Sequence, residues 1–163
     1  MDPRLDQALQ LHRAGRPQEA EPLYQALLDA DADNVQARQL LALLAVQGGR
    51  AGEAVRLLSD GVRRNPLFAE MWINLGGALG MLQRFDEADR CYRCALALEP
   101  GHVAATVNYG NTLMRRRRPA ASVRAYRRTL TLDPSHAAAR SRLGAALAEW
   151  GEKLARAERE AWI

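Results

Sequence analysis

Apolar residues return along this chain every three or four positions, in stretches about a dozen residues long that short polar breaks interrupt. In AEMWINLGGALGM, residues 69–81, Trp72, Leu75, Gly76 and Leu79 stand at i, i+3, i+4 and i+7, the spacing of one helix face. After the break at LQR the spacing resumes with Ala88, Tyr92 and Ala95. Pro100 then ends it, since proline has no N–H to donate and its ring clashes with the preceding turn. The pattern predicts two helices joined by a turn.

That pair recurs. The chain divides without insertion into units 1–34, 35–68, 69–102, 103–136 and a shortened 137–163. Position 8 of the unit reads Ala8, Ala42, Gly76, Gly110 and Gly144, and position 20 reads Ala20, Ala54, Ala88, Ser122 and Arg156. Four units thus place small residues at both points where two helices could approach closely. Position 24 is Tyr24, Leu58, Tyr92 and Tyr126, Pro66, Pro100 and Pro134 recur at position 32, and Gly15, Gly48, Gly49, Pro17 and Pro119 mark the breaks inside the units.

The third unit resembles the tetratricopeptide repeat, with Trp72, Leu75, Gly76, Leu79, Ala88, Tyr92, Ala95 and Pro100 at positions 4, 7, 8, 11, 20, 24, 27 and 32. On those residues the chain is identified as a member of the tetratricopeptide family. The resemblance implies an all-α fold, one domain over residues 1–163, built as a right-handed solenoid of antiparallel helix pairs. Each pair buries its apolar stripe against the next, because a single unit could not do so alone. The fifth unit departs from the pattern, with Arg156 and Glu160 at positions 20 and 24, and is expected to cap the array. In KLARAEREAWI, Leu154, Ala157 and Ala161 form a narrow apolar stripe, which predicts a helix with one buried and one charged side. Alternatively the chain is cut partway through a longer array.

At 100° per residue, positions 4, 7, 8 and 11 gather on one side of the first helix, and positions 2, 5, 6, 9, 12 and 13 on the other, which has no internal partner. In the family that second side lines a concave groove that binds peptides or proteins. Here it holds Leu5, Leu9, Leu43, Ile73, Met81, Val107 and Met114 together with Asn74, Asn108, Asn111 and Arg115. Packing between neighbouring first helices is the alternative for Leu9, Leu43 and Val107. An asparagine offers two donors and an acceptor, so Asn74 and Asn108 could hold the main chain of an extended peptide whatever its side chains. Their place before the glycine of NLG and NYG resembles the asparagine ladder of O-linked N-acetylglucosamine transferases, although Asp6, Leu40 and Arg142 leave at most two rungs. Positions 5 and 9 hold mostly apolar residues, where the carboxylate clamps of chaperone adaptors have paired lysines and asparagines. That disfavours a C-terminal carboxylate as ligand.

The 163 residues are 48% apolar and carry a net charge of +4, enough to bury one core. The longest apolar run, Leu40 to Val46, is too short to span a bilayer, and MDPRLDQAL lacks the basic flank and apolar core of a signal peptide. A cytoplasmic, membrane-free protein is expected. Cys91 and Cys94 in CYRC could give a metal two thiolates, but no further ligands lie nearby in sequence, and they read as small side chains at a helix packing surface. His102 and His136 share position 34 and are expected in equivalent turns, while His12 stands alone near the first groove. DADADN, residues 29–34, imitates a calcium loop, but Asn34 stands where glycine is needed and Leu40 where the bidentate glutamate belongs. It reads as a turn that supplies helix caps. No nucleotide-loop, nucleophile-elbow or zinc-protease pattern is present. No catalytic residue, metal site or cofactor is expected, and the chain reads as a non-enzyme.

Charge changes the picture at one place. The fourth unit carries seven basic residues against one acid, and four of them form the run Arg115 to Arg118. No aromatic residue interleaves the run, which argues against nucleic acid. Arginine at position 16 recurs as Arg16, Arg50 and Arg84, so the local excess is three. The second helices of the first three units begin with acids, Glu19, Glu53, and Asp86 with Glu87, whereas the fourth begins Pro119, Ala120, Ala121. Arg116, Arg117 and Arg118 are therefore expected beside a helix N-terminus with no internal anion, as a patch for an anion or an acidic partner. The alternative is a first helix that simply ends in cations, which its own dipole favours. The function expected is a protein-interaction scaffold that binds a peptide or partner protein in the groove. The alternatives are the substrate-recruiting region of a larger enzyme, such as a bacterial glycosyltransferase, and a self-associating scaffold.

Overall fold

The computed structural model describes residues 2–160, the side chains of 158–160 excepted, and within them it is all-helical. The helices are α1 (Pro3–Arg13), α2 (Pro17–Ala30), α3 (Val35–Gln47), α4 (Ala51–Arg64), α5 (Ala69–Met81), α6 (Phe85–Leu98), α7 (Val103–Arg115), α8 (Pro119–Leu132) and α9 (Ala137–Glu160). Contacts gather them into two compact units, residues 1–83 and 84–163.

Two positions of the sequence period set where helices start and stop. Position 34 is the N-cap of the first helices: Asn34 accepts from the N–H of Ala37 at 2.9 Å, and Nδ1 of His102 and of His136 accepts from Ala105 and Ala139 at 3.2 Å. Position 15 is the left-handed residue that ends them, Gly15 and Gly49 with φ of 73° and Gln83 and Arg117 with φ of 58° and 57°. The next N–H then closes back on the helix, from Arg16 to the Leu11 carbonyl at 2.9 Å, Arg50 to Ala45 at 2.7 Å and Arg118 to Leu113 at 2.9 Å. Pro66, Pro100 and Pro134 each follow the C-cap of a second helix and stop its continuation.

In the first unit α1 to α4 pack in succession as antiparallel neighbours and α5 lies against α4. Ala8 and Ala20 are fully buried, and the buried Tyr24 ring meets His12 edge-on at 6.3 Å. Leu5, Leu27, Leu28, Leu41 and Leu44 complete that core. At Gly61 a Cβ would lie 2.6 Å from Met71 Sδ and 2.8 Å from Arg38 Cδ, so no larger residue fits there without displacing both. Arg38 is itself buried and pairs with Asp60 at 2.8 Å.

In the second unit α6 packs on α7, α7 on α8 and α8 on α9. Tyr126, Val123, Ala139 and Ala146 are buried together, with Met114, Leu130, Leu143 and Trp150 against them. A Cβ on Gly110 would come within 2.7 Å of the Tyr126 ring. Ser122, where the other complete repeats have alanine, is fully buried and donates to the Gly110 carbonyl at 2.9 Å, which satisfies its hydroxyl. Small residues at positions 8 and 20 and a tyrosine at position 24 thus meet in space.

The fifth repeat departs further than its sequence implied. α9 runs 24 residues without a turn, straight through Gly151 at position 15. The buried side expected of its last segment is absent at Leu154, which is 52% exposed; Ala161 lies outside the described residues. With Arg156 at position 20, a returning helix would have no small contact surface, while Glu152, Lys153, Leu154 and Ala155 all favour continued helix. No helix among the described residues is long and apolar enough to cross a membrane.

Candidate functional site

The unpartnered sides of the first helices are narrower than the helical wheel predicted. Leu5, Ile73 and Val107, all at position 5, are buried, so these three candidate contact residues pack inside the protein instead. The reason is geometric: position 5 lies only about 60° from position 8, and each first helix meets more than one neighbour, which widens its buried arc. In the first unit the open side keeps Leu43, 44% exposed, Met81, 54% exposed, and the exposed Asn74, with Leu9 half-buried against the core.

In the second unit Asn108 is half-buried, and Met114 packs against the Tyr126 cluster. The side-chain carbonyl of Asn111 accepts the Tyr126 hydroxyl at 2.8 Å, so that amide is tied to the fold. Burial holds the Tyr126 phenol above its usual range, which keeps it a neutral donor. Arg115 is exposed, with its guanidinium 5.5 Å from the Phe85 ring centroid, a cation–π contact.

The arginine turn is not uniformly free of anions, and this corrects the reading of Arg116. Its Nε lies 2.7 Å from Asp86 and its Nη1 2.6 Å from the buried Asp89, which also holds Arg93 at 3.2 Å. Two carboxylates on α6 therefore engage Arg116, one of the three extra cations. Arg117, in the left-handed conformation, is 87% exposed and stands 3.8 Å from Glu149, a loose pair.

Arg118 differs from its counterparts. Arg16 pairs with Glu19 at 2.5 Å, Arg50 with Glu53 at 2.9 Å and with Glu21 at 2.7 Å, and Arg84 with Glu87 at 2.6 Å. Those arginines hold Glu21 and Glu87 below the ordinary glutamate range, chiefly through their hydrogen bonds. At α8 the corresponding position is Ala121, and Arg118 has no such partner among the described residues.

Beside Arg118 a cavity of about 520 Å³ opens between the α7–α8 turn, the first turn of α8 and the second half of α9. Arg117, Arg118, Arg124 and Lys153 supply its cations, and Tyr109, Leu113, Trp150 and Leu154 its apolar surface. A second cavity of about 190 Å³ shares Tyr109, Leu113, Ala121 and Arg124 with it and continues to Arg128. Sequence reasoning missed Arg124, Trp150 and Lys153. The missing acid at position 19 was the visible signal; the straight α9 that brings Trp150 and Lys153 beside it was not.

Of the two cysteines read as packing residues, only Cys91 is one. Cys91 is buried, which pushes its thiol up to about 12, far from a reactive thiolate, while Cys94 is exposed. Among the described residues no group of three histidine, cysteine or acidic side chains is placed to hold a metal ion.

Comparison with known proteins agrees with the helix-pair architecture. The tetratricopeptide repeat matches over residues 11–79, and again over 82–136 and 110–161. Among solved structures, one described as the crystal structure of MamA protein superposes with a TM-score of 0.84 at 23% identity, covering 91% of this chain and 81% of that one. A second MamA crystal structure gives 0.78 at 21% identity, covering 100% and 99%. MamA from Desulfovibrio magneticus RS-1, from residue 41 to its end, gives 0.75 at 16% identity, covering 83% and 77%. No curated protein matches the sequence. At these identities the superpositions establish the fold, an α-solenoid of helix pairs.

Proposed function

We propose, from the premise that the chain belongs to the tetratricopeptide-repeat family and is a protein-interaction scaffold, that within each unit the open sides of the first helices receive an extended segment of a partner protein. The observation that carries this reading is the pair Asn74 and Asn108. They share position 6, and neither side-chain amide has a hydrogen-bond partner among the described residues. Each can offer a donor and an acceptor to a peptide main chain. Leu43 and Met81 add exposed apolar surface in the first unit, and Arg115 a cation in the second. Acidic side chains of a partner meet the arginine turn at Arg117 and Arg118, since Arg116 is occupied by Asp86 and Asp89.

The experiment compares wild type with the double variant Asn74→Ala, Asn108→Ala in recovery of binding peptides from a random peptide library. Loss of the recovered peptides with an unchanged melting temperature supports the reading. Identical recovery by both forms removes it.

A further inference from the structure

We propose that the two adjacent cavities along α8 form a binding site for an acidic peptide segment that carries a large apolar side chain. This rests on the protein-interaction reading but uses a surface distinct from the open sides of the first helices.

The first ground is uncompensated charge around an open cavity. Among the described residues neither cavity has a carboxylate in its lining. Among the described residues Arg118, Arg124 and Lys153 make no ion pair, although the arginines equivalent to Arg118 in the first three repeats all do. The first turn of α8 contains no acid and no side-chain cap, so its N–H groups add to the positive field.

The second ground is the arrangement of the cations. Arg118 stands at the N-cap position of α8, Arg124 stands along it, and Arg128 lies about 15 Å from Arg118 at 1.5 Å per residue. Cations strung out in this way do not converge on one phosphate. They match carboxylates spaced over four or five residues of extended chain, at about 3.3 Å each. One Nη2 of Arg128 is already donated to the Pro100 carbonyl, which anchors that side chain at the far end.

The third ground is the floor. Tyr109, Leu113, Trp150 and Leu154 line the larger cavity between its cations. Burial holds the Tyr109 phenol above its ordinary range, so it stays neutral and can donate a hydrogen bond to a carboxylate. A purely polar polyanion would leave the exposed Leu154 and the Trp150 ring uncovered, whereas a leucine or phenylalanine between two acids covers them.

The test uses the full chain and a fluorescein-labelled peptide of alternating glutamate and leucine, with an alternating lysine–leucine peptide and an all-glutamate peptide as comparisons. Anisotropy titrations are run on wild type, on the triple variant Arg118→Gln, Arg124→Gln, Lys153→Gln, and on the single variant Lys153→Glu, each checked for native helicity. The expected result is binding of the glutamate–leucine peptide alone. The affinity should fall at least tenfold in the triple variant and measurably in the single one, and stay unchanged in Asn74→Ala, Asn108→Ala. Equal affinity for wild type and the triple variant overturns the proposal. So does equal binding of the all-glutamate peptide, or displacement by inorganic tripolyphosphate or oligothymidylate at matched charge, which would assign the cations to phosphate. Loss of library peptides in the asparagine variant with retained glutamate–leucine binding separates the two surfaces. Loss of glutamate–leucine binding in the asparagine variant, with unchanged affinity in the triple variant, sinks this site and leaves the first-helix reading intact.

Discussion

Gly110 and Gly144 hold the same place in the fourth and fifth repeats, and their surroundings are opposite. A Cβ on Gly110 would strike the Tyr126 ring at 2.7 Å, while one on Gly144 would meet nothing within 4 Å. In the fourth repeat α8 returns along α7 through Arg117, a residue that tolerates the left-handed conformation poorly. The fifth repeat has Gly151 at the equivalent position, which tolerates it well, yet α9 runs straight through. A permissive residue therefore allows a hairpin without causing one. The cause is what the second helix can bury: α8 puts Ser122, Val123, Tyr126 and Thr129 into the core, whereas residues 154–157 offer an exposed Leu154 and Arg156. Because α9 does not fold back, Trp150 and Lys153 stand over the start of α8, and the basic cavity follows from that.

The sharpest way to break the fourth repeat is to remove the anion beneath its turn. Asp89→Ala leaves the largely buried Arg116 with Asp86 alone, at an expected cost of about 3 kcal/mol in a urea melt, the lower end for breaking a buried pair. Replacing both Asp89 and Arg116 by leucine should recover part of that loss, and no recovery would mean the pair does more than neutralise itself. Next in size, Gly110→Ala should cost about 1–3 kcal/mol by pushing a methyl into the Tyr126 ring. The same change at Gly144 should have the opposite sign, a gain of about 0.5–1 kcal/mol from helix propensity in open space. Parallel thermal melts decide this; equal effects at the two sites would erase the distinction between the repeats. Gly151→Ala should also stabilise, by a similar amount, if α9 is continuous in solution. Destabilisation there would mean that the fifth repeat folds back through a left-handed Gly151 after all.

These substitutions follow the line between what the sequence made legible and what it did not. Helix pairs, their period and the meeting of positions 8, 20 and 24 were readable because each reports a contact inside one repeat, as Gly110, Ser122 and Tyr126 do. The cap at Asn34 was readable because donor and acceptor lie three residues apart, whereas His102 and His136 were expected only in equivalent turns and their capping was not foreseen. The partners of Arg116 were not, since Asp86 and Asp89 come from the preceding repeat, about thirty residues earlier. Burial of Leu5 and Ile73 was hidden because a wheel drawn for one helix cannot show how many neighbours that helix has, whereas packing was already the alternative for Val107. The cavity combines both difficulties: half of it is the missing acid at Ala121, visible in the sequence, and half is the straight course of α9, which only the packing decides.

The smallest expected effect isolates the visible half. Ala121→Glu restores the acid that Glu19, Glu53 and Glu87 supply in the other repeats, three residues after the arginine at the N-cap position of the helix. Ala121 is half-buried at the rim of both cavities, so the introduced carboxylate can reach Arg118 as Glu87 reaches Arg84. The stability gain should be slight, a rise of about one degree in melting temperature, as exposed pairs at this spacing give. Its pH dependence has a definite sign. Arg84 holds Glu87 below the ordinary value of 4.5, so a carboxyl paired in the same way would have a folded pKa below its unfolded one. The gain is then complete above pH 4.5 and disappears as the pH falls through the lowered value. Binding should respond far more than stability, because the new anion neutralises Arg118 from inside and competes with any acidic segment for the same guanidinium. Ala121→Gln, matched in size and uncharged, separates charge from bulk. If the glutamate–leucine peptide binds both variants equally well, Arg118 is not among the cations that hold it, and the lack of an acid at the start of α8 has no part in recognition.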